Sequence, residues 1–567
     1  MTTQALTAEP QVVPARRDWP ELAGHLVFAT CGLASAVYLL YLGRHTSFFY
    51  DEWSWIQSRR GWRPGNFLAA HNGHFVALPV LAYHLLFATA GLRAYLPYRL
   101  LLMFCHLAAC FALYRYGRIR LGPLVAVLPA VLLLLLGAAW QTLLWPFQIT
   151  FIGGLAFGLT GFLILDAVPS RRRNVLGCLC LTAAIACSGT GLAMLAGAFV
   201  RVALRRQWRR WWVPAVPTVV FGLWYLHYGR ADAPPVGGSA SQLWQYFHRI
   251  YQSSIAGLTG HTWLQDRPLA SWLGLAIVLL VAGRLAVELT HRRLPVDLLS
   301  AIATGVVLWG LTALTRVHTH DYGASRYLYG GVLVVLLAVI EAVRGVRLPR
   351  LVGALRAVAT AASVWAGSTP LRGGAASLTA VDTYARADFA ALEHSRPAPR
   401  YQPNPRLLPV VTAAGYFSAV HSLGSPALSW SALPRQSAGV RADADRVLRQ
   451  AGALQLLAAG PQPVTPAGSV TVPSGVVEPL TVRAGCQLLQ PQQRALAVRL
   501  SLPAAGITLS DPVSAIAVRV RRFGPALAVL GSIGPRQVML LRPLPDGSPV
   551  PWLIQLSTVG TVRLCQG

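Results

Sequence analysis

The chain has 567 residues, of which 54% are apolar and only 12% charged, with a mean hydropathy of +0.48. A soluble domain carries about 25% charged residues, so this composition excludes an ordinary soluble protein, and repeated apolar runs near the ~20 residues that cross a bilayer mark a polytopic membrane protein. The formal charge of +29 does not imply nucleic acid, because all 49 basic residues are Arg and most lie in short clusters between apolar runs, as the positive-inside rule expects.

Residues 1–21 read as a polar, cytoplasmic N-terminal tail. The first apolar run, 22–42, is longer than a secretory h-region and is expected to stay as an anchor. Eleven spans are predicted, at about 22–42, 97–114, 121–139, 149–166, 175–187, 189–204, 211–228, 270–290, 296–315, 327–343 and 350–369. The clusters at Arg16/Arg17, Arg115/Arg118/Arg120, Arg171–Arg173, Arg205/Arg206/Arg209/Arg210, Arg292/Arg293 and Arg344/Arg347/Arg350 then share one side, the cytoplasm. Residues 75–92 are also apolar, but counting them as a span would invert every later cluster. Pro79, Tyr83 and His84 make them a helix lying in the interface instead. The fifth and sixth spans form a hairpin about Ser188-Gly189-Thr190-Gly191. Outer loops follow at 43–96, 229–269 and 316–326.

Beyond the last span the composition changes. Residues 370–464 read as an extracytoplasmic linker with helical stretches at 382–394 and 441–458. Residues 465–567 alternate apolar and polar between Pro and Gly, the pattern of a β-sandwich. Its role is either carbohydrate binding or packing. Cys31, Cys105, Cys110, Cys178, Cys180 and Cys187 sit in apolar runs as small hydrophobes. Cys486 and Cys565 stand in the C-terminal region, where an extracytoplasmic setting permits a disulfide.

Four segments carry candidate chemistry. SFFYDEWSW places Asp51 and Glu52 just past the first span, where an idle acid pair is costly. Either serves as general base, since a partly apolar setting disfavours the charged form of a carboxylate; helix capping is the alternative use. HNGHF brings His71 and His74 three residues apart. They line a polar substrate, form a turn, or, with Asp51, Glu52 and His74 as ligands, hold a divalent metal such as Mg, Mn or Ca. In WQTLLWPFQ, Trp145 and Gln148 suit sugar stacking and hydroxyl hydrogen bonds, with an interfacial aromatic belt as the alternative. In HTHDYGASRY, Arg326 stands where a helix enters the membrane and matches a lipid phosphate bidentately. His320 and Tyr327 are candidates beside that phosphate and Asp321 for the substrate; an Arg snorkelling to the interface is the plainer reading. No G-x-x-x-x-G-K-[ST] loop, G-x-S-x-G elbow or file of acids through the span centres occurs, which argues against an ATP-driven, serine-hydrolase or ion-coupled machine.

Together these features resemble the GT-C superfamily of integral membrane glycosyltransferases. The likeness covers about residues 20–340, in YDEW after the first span, the interfacial helix, and RYLYGGVLVVLL late in the chain. Some bacterial members, including arabinofuranosyltransferases of the mycobacterial wall, end in an extracytoplasmic β-rich domain. The resemblance implies an α-helical polytopic membrane protein of about eleven transmembrane helices (residues 22–369) with a C-terminal extracytoplasmic α/β part. It implies a polyprenyl-phosphate sugar donor, a cell-envelope glycan or lipid acceptor, and a plasma-membrane location. Asp51 would be the base and Arg326 the phosphate ligand. HNGH is not a general motif of that family, so its role rests on this sequence alone. A lipid-glycan flippase or a binding scaffold is the non-enzymatic alternative, one that needs polar residues along the span interiors, of which the sequence has few.

Overall fold

A computed structural model describes residues 19–233, 235–261, 267–346, 349–459, 479–483, 486–490 and 496–566. Almost all of the predicted tail 1–21, and the beginning of the predicted sandwich, 465–478, lie outside the described residues. The helices run α1 (Trp19–Leu42), α2 (Asp51–Ser58), α3 (Pro64–Leu68), α4 (Ala77–Thr89), α5 (Leu96–Leu121), α6 (Val127–Leu134), α7 (Trp140–Leu144), α8 (Ile149–Asp166), α9 (Arg171–Ile185), α10 (Thr190–Leu204), α11 (Trp212–Trp224), α12 (Ala240–Leu258), α13 (Pro268–Thr290), α14 (Val296–Arg316), α15 (Ser325–Ala342), α16 (Arg350–Glu393), α17 (Ala413–Leu423) and α18 (Ala438–Gln450). The strands are β1 (Leu454–Ala458), β2 (Pro479–Arg483), β3 (Cys486–Leu489), β4 (Leu496–Ser501), β5 (Ile507–Ser510), β6 (Ile516–Arg521), β7 (Ala528–Ile533), β8 (Val538–Pro543), β9 (Leu553–Thr558) and β10 (Val562–Gln566).

Among the described residues, eight helical stretches are long and apolar enough to cross a membrane. The chain is a multi-pass membrane protein. The predicted spans 175–187, 189–204 and 211–228 fall on α9, α10 and α11, which have 15, 15 and 13 residues. The α9–α10 pair is a hairpin, closed so tightly that a Cβ on Gly191 would sit 2.2 Å from the Ala184 carbonyl. The 75–92 segment forms α4, which at 13 residues is shorter than a span.

Two elements differ from expectation. The loop predicted at 229–269 contains the 19-residue α12. Ser239 and Gln242 close a capping box at its start. Its buried Tyr246, Ile250 and Ile255 join Leu308, Trp309, Val334 and Val335 of α14 and α15 in one core cluster. A helix apolar on one face only escapes a search for uniformly apolar spans. The last span and the helix predicted at 382–394 are one 44-residue helix, α16, with Pro370 inside. Gly374 in it leaves room for Trp140, whose ring a Cβ would meet at 2.2 Å.

By their contacts the described residues form two units, one made of those within 1–42, 68–79 and 99–374, the other of those within 43–67, 80–98 and 375–567. Most of the loop predicted at 43–96 therefore groups with the C-terminal region.

In the first unit a buried ionic network ties helix ends that the Arg pattern predicts as cytoplasmic. Arg201 reaches Asp166 at 2.5 Å and Asp297 at 2.7 Å; Arg205 reaches the same two acids at 2.9 and 2.5 Å. Arg120 joins Asp166 at 2.7 Å and also pairs with Glu341. Removing one member of a buried ion network leaves the opposite charges uncompensated. Arg201→Ala should therefore cost about 3 kcal/mol, read as a lower melting midpoint of the purified protein in lipid.

In the second unit two antiparallel sheets form, one ordered β1-β8-β5-β10-β3-β2 and the other β4-β9-β6-β7. Burial alternates along β6 and β9, so each presents one apolar face. Cys486 on β3 lies opposite Cys565 on β10, and the two are joined by a disulfide. The stretch predicted as helix at 441–458 is divided: α18 stops at Gln450, Gly452 turns the chain with φ +77°, and 454–458 becomes β1.

Candidate functional site

The acid pair opens α2, and the two carboxylates have different surroundings. Glu52 is wholly buried. It accepts hydrogen bonds from the Phe49 N–H at 2.9 Å, the Tyr83 hydroxyl at 2.6 Å and the Tyr95 hydroxyl at 2.8 Å. Burial first, then the neighbouring Glu52 charge, raises both phenols well above their ordinary range, so they remain donors. With three donors on its carboxylate, Glu52 ties the loop before α2 to Tyr83 and Tyr95, a different setting from the one expected of a second catalytic or metal-binding acid.

Asp51 is half-buried at the first position of α2. Tyr50 before it has φ 43° and ψ −105°, a strained conformation for a residue with a side chain. Around this strain the segment is clamped. The Ser47 N–H donates to Asp382 at 2.7 Å, and the Trp53 indole N–H donates to the Phe48 carbonyl at 3.1 Å. The Trp53 ring packs on Phe389 at 4.7 Å and on Tyr416 at 5.7 Å. A strained backbone held by packing of the residues around it, next to a half-buried acid, is a setting found at working groups.

In the first unit, His71-Asn72-Gly73-His74 is a two-residue hairpin turn. Asn72 and Gly73 have φ of 50° and 77°, and the two His backbones exchange hydrogen bonds at 3.1 and 2.9 Å. The turn carries His74 to a cavity of about 290 Å3 whose lining also includes Arg316, Arg326, Tyr327, Thr190 and the apolar Phe151, Leu308 and Trp309. Arg326 pairs with Asp321 at 2.7 Å, and its guanidinium lies 5.0 Å from the Tyr327 ring centre. The backbone of Arg326 is fixed by α7: its N–H donates to Gln141 Oε1 and its carbonyl accepts from Thr142 Oγ1, each at 3.3 Å. Asp321 thus orients Arg326.

Burial lowers the His74 imidazole to about 4; Arg316 pushes the same way and Asp232 opposes. His74 is therefore neutral near pH 7, and the cationic character of the cavity comes from its two Arg residues. The folded pKa lies below the unfolded one, so between pH 6.5 and about 4 the unfolded chain binds a proton that the folded one refuses. Stability should fall as pH falls through that window. His74→Gln should flatten this part of the profile, measured as melting midpoint against pH.

Other sequence candidates lie elsewhere. His320 adopts a left-handed φ of 54° and lines a separate cavity of about 180 Å3 with Arg249 and His318, not the one holding Arg326. Trp145 and Gln148, expected to contact a sugar, are 4% and 1% exposed and are not part of the lining of the Arg326 cavity. Trp145 stacks on Phe147 at 5.2 Å, and the His71 ring meets Phe147 at 5.3 Å. Among the described residues no group of three or more His, Cys, Asp or Glu side chains could hold a metal ion. Arg316 was missed: at the end of a span it reads as an ordinary interfacial Arg, and only the packing of α14 on α15 sets it beside Arg326.

No family model matches the chain, and no curated protein sequence does. Among solved structures it is similar to ArnT from Cupriavidus metallidurans bound to undecaprenyl phosphate, with a TM-score of 0.43 and 14% identity over 72% of this chain and 85% of that one. It is also similar to the arabinosyltransferase EmbB from Mycobacterium smegmatis, with a TM-score of 0.34 and 12% identity over 99% of this chain and 65% of that one.

Proposed function

We propose that this chain is a membrane glycosyltransferase of the GT-C type, moving a sugar from a polyprenyl-phosphate donor to a cell-envelope glycan or lipid acceptor at the outer face of the plasma membrane. The observation that carries this reading is the pair of guanidinium groups, Arg316 and Arg326, on the wall of a largely apolar cavity between membrane helices. Apolar walls with a few convergent cations suit an amphiphile whose charged part is a phosphate. In this reading Arg326 and Arg316 hold the phosphate as charge develops on it during departure of the sugar. Tyr327 flanks it, and neutral His74 offers a hydrogen bond. Asp51 takes the proton of the acceptor hydroxyl, and Glu52 keeps the Asp51 segment in place. No metal is required by these roles.

The test is transfer from labelled polyprenyl-phosphate sugars by purified protein in lipid vesicles, beside direct binding of polyprenyl phosphate. Arg326→Ala and Arg316→Ala should each weaken lipid-phosphate binding by roughly 10- to 100-fold, the worth of charge-assisted hydrogen bonds. Saturable binding lost in Arg326→Ala, with no transfer from any donor, would favour a flippase or binding scaffold instead.

A further inference from the structure

A cavity of about 630 Å3 lies among the helices of the first unit and has no part in the reading above. α15 turns Leu336, Val339, Ile340 and Val343 to it, at the spacing i, i+3, i+4, i+7 of one helical face. On α16 the same spacing brings Arg356, Ala359, Thr360 and Ser363 to the lining, so small side chains make the room and one guanidinium borders it. From α13 come only the aliphatic Leu273, Ile277 and Leu280. One end is closed where α12 meets α16: the Ser363 hydroxyl donates to the Leu258 carbonyl, and a Cβ on Gly260 would meet the Ser363 carbonyl at 2.3 Å. The other end stands beside the ionic network, because Leu121 and Val343 lie next to Arg120 and Glu341, which pair with each other. Arg356 belongs to that end, since it sits near the start of α16 and Ser363 lies about 10 Å farther along the helix. Val125, Leu273 and Leu280 line the cavity and are also exposed, so it opens sideways, among helices long and apolar enough to cross a membrane.

A cation at such a depth is costly without a counter-charge. Arg356 is half-buried, and among the described residues no carboxylate lines the cavity and none pairs with Arg356. A guanidinium matches a phosphate bidentately, and the apolar room beyond it fits hydrocarbon. With no acid to receive an ammonium group, the positive lining favours a headgroup that brings no cation of its own. We propose that this cavity binds one anionic diacyl phospholipid, with an acyl chain among α13, α15 and α16 and the phosphate on Arg356, in the leaflet that the Arg pattern predicts as cytoplasmic. It shares no lining residue with the Arg316–Arg326 cavity, and the inference stands whether or not the chain transfers sugar.

The experiment is native mass spectrometry of the full chain in mild detergent, titrated with phosphatidylglycerol or phosphatidylcholine, beside photolabelling by a phosphatidylglycerol that carries a diazirine on one acyl chain. Phosphatidylglycerol should saturate one site ahead of phosphatidylcholine, and the diazirine should label peptides of α13, α15 or α16. Arg356→Gln should weaken phosphatidylglycerol about tenfold and leave binding of polyprenyl phosphate within about twofold. Ala359→Phe, which fills the room and keeps the charge, is the second variant and should abolish the labelling while the melting midpoint is kept. Retention unchanged in Arg356→Gln, or labelling unchanged in Ala359→Phe, overturns the site. Equal retention of the two phospholipids overturns the anionic headgroup, and displacement of phosphatidylglycerol by an equal concentration of polyprenyl phosphate overturns the diacyl lipid.

Discussion

Asp51→Asn should lower sugar transfer by about 10²–10⁴-fold, the usual contribution of a positioned general base, while binding of polyprenyl phosphate and the melting midpoint stay near wild type. Asn has nearly the shape of Asp and serves equally well at a helix start, so α2 and the strained Tyr50 should persist. What it lacks is a basic oxygen able to take a hydroxyl proton. The clamps on the segment, from Ser47 to Asp382 and from Trp53 to Phe389 and Tyr416, are kept in the variant. Lost transfer beside an unchanged melting midpoint and unchanged lipid-phosphate binding is then read as lost chemistry. Asp51→Glu should recover part of the rate, since the base survives displaced by one methylene. Transfer that continues unchanged in a well-folded Asp51→Asn protein would sink the assignment and move the base elsewhere.

Glu52→Ala should behave in the opposite way, with stability falling first and activity only as a consequence. It would strip the acceptor from three donors in a fully buried site, the Phe49 N–H and the Tyr83 and Tyr95 hydroxyls. Each donor left unsatisfied costs about 1–3 kcal/mol, so the loss should be on the order of 4 kcal/mol. Glu52→Gln keeps the volume but turns an amide N–H toward groups that donate, and should cost about half as much. The measurement is the melting midpoint of each variant, with limited proteolysis of the segment around residues 43–67. A Glu52→Ala protein as stable as wild type would show that the buried cage does not anchor that segment. Read side by side, Asp51→Asn and Glu52→Ala separate a chemical role from a structural one in neighbouring carboxylates.

The order of the helices, and much of their length, was determined by the sequence alone. Partition of an apolar run into lipid is a local property that hydropathy and flanking Arg residues report directly. The hairpin at Ser188–Gly191 and the alternating strands beyond the last span were visible for the same reason, since turns and pleats leave short-range signatures. The Asn72-Gly73 turn was one of several readings, and its positive φ values settled it. Only the tertiary structure decided where each candidate stands and what surrounds it. Asp51 and Glu52 are adjacent and chemically alike, and what separates them is two tyrosines 31 and 43 residues away from Glu52. Arg316 and Arg326 share a cavity only through the packing of α14 and α15, while His320 is turned by a left-handed backbone into another one. Trp145 and Gln148 read as sugar ligands in the sequence, and in the fold both are buried outside that cavity's lining. Apolar pattern is additive along the chain and can be read residue by residue; the environment of a polar group is assembled from distant segments, so its role appears only once they are packed.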